Sequence, residues 1–195
     1  MQQVPEIFQT PAQVRINCLQ RLHAVAVRVE NIPVELKYNL FEQSRRTRDA
    51  YSQFRNEPNP INSVSFLQAS LDLVRSFGPI NPLCEEIFDL QVLIKQNDEI
   101  LQGNTDYQQI STRLSALLSA CDGFYSNLPI GMLDELYHFV DRDPEFRGQL
   151  DDLLAQETEE LQQWWAIWNR SDSNFNEALQ FAVNATPQNY GQLNP

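Results

Sequence analysis

Apolar residues recur along this chain at intervals of three and four, the spacing that gathers side chains on one face of a helix. Val14, Cys18, Leu22, Val25 and Val29 form the first stripe, and Ile61, Val64, Leu67, Leu71, Val74 and Phe77 form another. Leu83, Ile87, Leu90, Ile94 and Leu101 follow, then Ile110, Leu114, Leu117 and Cys121, then Met132, Leu133, Leu136 and Val140. Leu150, Leu154, Leu161, Trp164 and Trp168 continue the pattern, which closes with Phe175, Leu179, Phe181 and Val183.

Four of these stripes are preceded by a polar side chain and a proline: Thr10-Pro11, Asn59-Pro60, Asn81-Pro82 and Asp143-Pro144. The polar oxygen can accept a hydrogen bond from an orphan N–H of the first helical turn. Proline at the first helical position loses no useful donor and arrives with its φ already helical. The nearest thing to a strand, the alternation of Val25, Val27 and Val29, lies inside one of these helical patterns.

The spacing therefore predicts an all-α fold, a single-domain antiparallel helical bundle of about seven to eight helices. The expected helices are 11–29, 33–56, 60–77, 82–102, 106–120, 129–140, 144–170 and a last one near 175–183, capped by Ser171 or Ser173. Gly78 is expected to stop its helix in a left-handed conformation, Gly103 to end the fourth helix, and Asp122-Gly123 to form a turn. The helical domain is drawn over 10–183, with an N-terminal tail over 1–9. A disordered C-terminal tail over 184–195 is expected from its Asn, Gln, Pro and Gly content.

Charge adds a polarity to this picture. The 195 residues carry a formal net charge of −12. Between Asp134 and Glu160, ten carboxylates stand against Arg142 and Arg147, so that stretch holds −8 of the total. Such a field repels nucleic acid and anionic membrane and attracts basic partners, although net charge also serves solubility alone. The one tight basic cluster is Arg45, Arg46 and Arg48, in a second helix with no large apolar residue between Glu42 and Ala50. Three roles are open to it: a solvated face, an internal match to the acidic residues between Asp151 and Glu160, or an anion-binding contact through arginine's bidentate fork.

Cys18, Cys84 and Cys121 are odd in number, widely separated and each in an apolar helical context. Disulfide frameworks and zinc sites need clustered spacing, so three core thiols in a reducing, cytoplasmic setting are expected. No stretch of about 18 uncharged apolar residues is present to span a membrane, and the first ten residues lack a secretory pattern. The acceptor patterns at Asn169 and Asn184 are discounted on that ground.

Catalytic chemistry finds little to build on. Glu135 and His138 have the spacing of a di-iron bundle motif, but such a site needs two motifs and two more carboxylates, and the only other histidine is His23. Cys18 and His23 are five residues apart, so they do not meet on one helix. No glycine pattern for a phosphate loop occurs among the six glycines. No cofactor, no metal and no catalytic residue is expected.

The densest aromatic patch is Trp164, Trp165 and Trp168. It suits either core packing or the anchor of a partner groove, because tryptophan dominates interface hot spots. The leading expectation is a non-catalytic interaction module, an adaptor, assembly chaperone or regulator. It would present Asp151, Asp152, Glu157 and Glu160 together with Trp164, Trp165 and Trp168 to a basic protein. The alternatives are a self-assembling coat-type subunit with a minor arginine contact to nucleic acid, and an enzyme without a recognisable local motif.

Overall fold

The structure is a computed structural model and describes residues 10–102, 106–170 and 175–184, the side chains of the last two excepted. The expected tails, the stop at Gly103 and the caps at Ser171 or Ser173 lie outside the described residues, as do the side chains of Val183 and Asn184. The described chain is all-α and contains no strand. Its helices are α1 (Pro11–Glu30), α2 (Val34–Asn56), α3 (Pro60–Phe77), α4 (Asn81–Gln96), α5 (Asp98–Gln102), α6 (Tyr107–Tyr125), α7 (Ile130–Arg142), α8 (Pro144–Leu154), α9 (Glu159–Trp168) and α10 (Phe175–Asn184).

Three of the four proline-headed starts work as the residues dictate. Thr10 accepts from the Gln13 amide while the Gln13 side chain accepts from the Thr10 amide, a complete capping box. Asn59 accepts from the amide of Asn62 at 2.8 Å. Asp143 accepts from the amides of both Glu145 and Phe146. The fourth does not cap. Asn81 is already inside α4, because Ile80 before it has helical backbone angles. Its side chain instead donates to Glu85 and accepts from the Tyr125 hydroxyl.

Other boundaries shift for comparable reasons. Gly78 takes a right-handed conformation rather than a left-handed stop, and the chain turns from it directly into α4. Asp122 and Gly123 continue α6 instead of turning, and the helix ends at Tyr125. The fourth expected helix divides at Asn97, whose side chain donates back to the Leu93 carbonyl. The expected long helix over 144–170 divides at 155–158. Thr158 starts α9 there by accepting from the Leu161 amide.

By its Cα positions the chain falls into two compact units. One comprises Met1–Ile32 with Ile80–Tyr125, the other Pro33–Pro79 with Ser126–Pro195. In the first unit α1, α4, α5 and α6 pack together. Cys18, Leu22 and Val25 of α1, Ile87 and Leu90 of α4, Leu101 of α5, and Ile110 and Cys121 of α6 are buried. An ion pair between Arg28 and Glu86 ties α1 to α4 at the surface.

In the second unit α3 is the central element, touching α2, α8, α9 and α10. A helix buried on several sides must dispose of its polar side chains internally. Ser63, Ser70 and Ser76 do so by donating back to the carbonyls of Asn59, Leu67 and Leu73. These small residues, with Ser44 and Thr47 on α2, explain the absence of large apolar residues in the middle of α2. Thr47 is fully buried, and its hydroxyl lies 2.8 Å from the Gln43 carbonyl and 2.9 Å from the Ala69 carbonyl across the α2–α3 contact. An aromatic chain fills the far end of this pair: Tyr51 against Phe66, Phe54 edge-on to Phe139, and Phe139 edge-on to Phe146.

Candidate functional site

The acidic stretch folds into a corner of the second unit where α8 turns into α9. Asp151, Asp152, Glu157, Glu159 and Glu160 are all exposed there. Leu150, Leu154 and Leu161 bury the opposite side, so the amphipathic pattern turns the helical carboxylates outward, while Glu157 lies in the link between the two helices. Glu159 and Glu160 occupy the first turn of α9, where the helix dipole favours negative charge.

These five carboxylates are not equivalent. Glu160 is held by Arg75 of α3 at 2.6 Å. Among the described residues the other four make no ion pair. Asp151 receives only the Trp165 indole N–H, at 3.4 Å, and Glu159 only the Gln163 amide. A patch of four carboxylates without a cation thus borders an arginine-bridged edge.

Arg75 begins a line of charge that runs from α9 across α3 towards α2. It also faces Asp72 at 3.9 Å. Burial pushes the Asp72 carboxyl above its ordinary value, against the hydrogen bond from Gln68 and the charges of Arg75 and Arg46. On α2, Glu42 receives Arg45 at 2.8 Å and Arg46 at 3.1 Å, and Asp49 receives Arg45 at 2.9 Å. The hydrogen bonds from Arg45 and Arg46 hold the Glu42 carboxyl down at about 2.

The basic cluster is therefore largely spent within the chain. Arg45 and Arg46 are engaged by carboxylates of their own helix, and Arg48 donates to the Asn127 side chain. Arg45 has its whole fork engaged, whereas Arg46 bonds through Nε and Arg48 through one terminal nitrogen at 3.4 Å. The arginine that reaches the acidic corner is Arg75, which sequence reasoning missed because it sits at the end of an apolar stripe, adjacent to Ser76 and Phe77.

Trp164, Trp165 and Trp168 are buried. Of the two roles open to this patch, the structure gives core packing: Trp164 donates to Ser70 at 2.9 Å, meets Trp168 edge-on and stacks on Phe181. The aromatic anchor expected beside the acidic face is thus inside the fold, and the corner's surface is polar. Asn169 of the first acceptor pattern has its side-chain oxygen taken by Arg147; the second pattern runs beyond the described residues.

Glu135 and His138 make separate contacts. Glu135 receives the Tyr51 hydroxyl, and His138 lies against the Tyr137 ring. Burial, reinforced by that hydrogen bond, pushes the Tyr51 hydroxyl up to about 12. Among the described residues no three His, Cys, Asp or Glu side chains gather as a metal site.

The three thiols are buried and free. Cys84 of α4 and Cys121 of α6 lie within hydrogen-bonding reach, and burial pushes both thiols above their ordinary value, Cys84 far above it. Burial likewise pushes Tyr125, beside them, up to about 12. Protonated, enclosed thiols are poor nucleophiles. No described helix is long and apolar enough to cross a membrane. No family model, curated protein or solved structure matches the chain.

Proposed function

We propose that this chain is a non-catalytic interaction protein, an adaptor, assembly chaperone or regulator, that offers the α8–α9 corner to a basic surface on another protein. The observation that carries this reading is the set of four exposed carboxylates, Asp151, Asp152, Glu157 and Glu159, with no ion-pair partner among the described residues. An internally neutralised acidic stretch would serve the fold; this one leaves its field in the solvent, where it steers cationic groups. The interaction is polar and rim-like, because the tryptophans are buried beneath it and supply rigidity rather than contact. Three free thiols fit a reducing, cytoplasmic setting.

Affinity capture from the native source at low and high salt tests this reading. The captured partner should carry a basic surface, and its yield should fall steeply with salt, as screening of an open acidic face requires. Neutral or acidic partners, or a yield indifferent to salt, would contradict it.

A further inference from the structure

Two of the three buried thiols meet. Cys84 lies in the first turn of α4 and Cys121 one turn before the end of α6, and in the first unit the two are within hydrogen-bonding reach of each other. The third thiol, Cys18 of α1, contributes to the surroundings of neither. The apolar period accounts for a cysteine on the inward face of each helix; it does not place one sulfur against the other. Two sulfurs in hydrogen-bonding contact are within about 2 Å of the covalent S–S distance, a gap that rotation about the two Cα–Cβ bonds can close.

The pair sits where both helices end. Tyr125, one turn beyond Cys121, closes that end. Its hydroxyl donates to the Asn81 side-chain oxygen at 3.0 Å, the Asn81 side chain donates to Glu85 at 2.8 Å, and the Tyr125 ring meets Phe88. This latch joins the last residue of α6 to the first turn of α4. Helix ends open at lower free energy than helix centres, so release of the latch exposes both sulfurs without unfolding the unit.

We infer that Cys84 and Cys121 are a redox clasp, a thiol pair that oxidised glutathione converts into a covalent bond between α4 and α6, with the Tyr125–Asn81 latch setting the rate. When the latch opens, one sulfur, as thiolate, attacks a glutathione sulfur and expels one glutathione thiolate. The second sulfur, as thiolate, then attacks the first and expels the other. The S–S bond of oxidised glutathione is broken, that between Cys84 and Cys121 is formed, and the two thiol protons pass to two molecules of glutathione. In the closed fold this chemistry waits, because enclosed, protonated thiols are poor nucleophiles. Once formed, the bond ties together the two helix ends that would otherwise open. The clasp lies in the first unit and does not rest on the acidic corner of the second.

Oxidised glutathione in large excess, added to the reduced full chain under native conditions, tests the proposal. After alkylation of the remaining thiols, mass spectrometry should find Cys18 alkylated and a peptide pair linked through Cys84 and Cys121. The linked chain should melt about 5–10 °C higher, and dithiothreitol should reverse the gain. Cys84→Ser should lose both the link and the rise in melting temperature. Tyr125→Phe keeps the ring and loses the latch bond, and should form the same link at least about three-fold faster, with Cys18 alkylated no faster than in the wild type. Three thiols still free after days overturn the clasp, as does glutathione retained on Cys84 or Cys121 without the link, or a link through Cys18. Equal rates for wild type and Tyr125→Phe overturn the latch, and so does a variant in which Cys18 is alkylated faster too, because the whole unit has then loosened.

Discussion

The indole N–H of Trp164 on α9 donates to the hydroxyl oxygen of Ser70 on α3 at 2.9 Å, and that hydroxyl donates in turn to the Leu67 carbonyl at 2.7 Å. Both residues are fully buried. The pair lets the largest side chain of the core enter without leaving its one polar atom unpaired. It also fixes α9, and with it the acidic corner, against the central helix. Ser70→Ala should leave a buried N–H without an acceptor and destabilise the second unit by about 1–3 kcal/mol. Trp164→Ala should cost about 3–5 kcal/mol. Chemical denaturation followed by tryptophan fluorescence for the first, and by circular dichroism for the second, reads both.

The ion pair at the edge of the corner should matter far less. Arg75 is 21% exposed and Glu160 50%, so solvent screens their attraction. Glu160→Gln should cost less than about 1 kcal/mol. A larger loss on denaturation would mean that solvent does not screen the Arg75–Glu160 pair.

Acid should release a specific contribution from α2. The Glu42 carboxyl titrates near 2 in the folded chain, below its ordinary value of 4.5, because Arg45 and Arg46 bond to its charged form. The folded state therefore binds this proton less readily than the unfolded state. The stabilisation is complete above the ordinary carboxylate range and disappears as pH falls from about 4.5 to about 2. Side-chain NMR titration should find Glu42 well below the exposed carboxylates, and Glu42→Gln should remove that part of the acid dependence.

The thiols give a test of packing. Cys84 and Cys121 are buried side by side and held protonated. A thiol reagent added to the native protein should react slowly, at a rate set by opening of the fold, and at once when denaturant is present. Prompt native reaction would show that α4 and α6 do not enclose them.

Much of this fold is legible in the residues. α3 begins at Pro60 and ends at Phe77 as its cap and stripe require, because cap, proline and apolar period all act locally. The break between α8 and α9 is not carried by the period. Leu154 and Leu161 are seven apart and stay on one face whether the helix runs on or restarts. The signal was Thr158, a capping side chain followed by two acidic residues and an apolar one. Asn81 shows the converse: its local spelling is that of a cap, but a tertiary partner, Tyr125, claims the side chain.

The surface was legible only in part. The outward turn of Asp151 and Asp152 follows from the leucines behind them on α8. The burial of Trp165 alongside Trp164 does not, since one helix period cannot bury adjacent residues on one face; α9 buries both because it is enclosed on more than one side. Val34, Tyr38 and Phe41 are exposed because Leu40 and the small residues Ser44 and Thr47 form the inward face of α2, a choice that side-chain size alone does not signal.

The most direct test of the acidic corner replaces Asp151→Asn, Asp152→Asn, Glu157→Gln and Glu159→Gln together in the full chain and measures binding to a lysine- and arginine-rich probe protein by titration calorimetry. The wild-type chain should bind, with affinity falling steeply as salt rises, while the neutralised variant melts as the wild type does and loses both the binding and its salt dependence. Equal binding by the two chains would contradict the account.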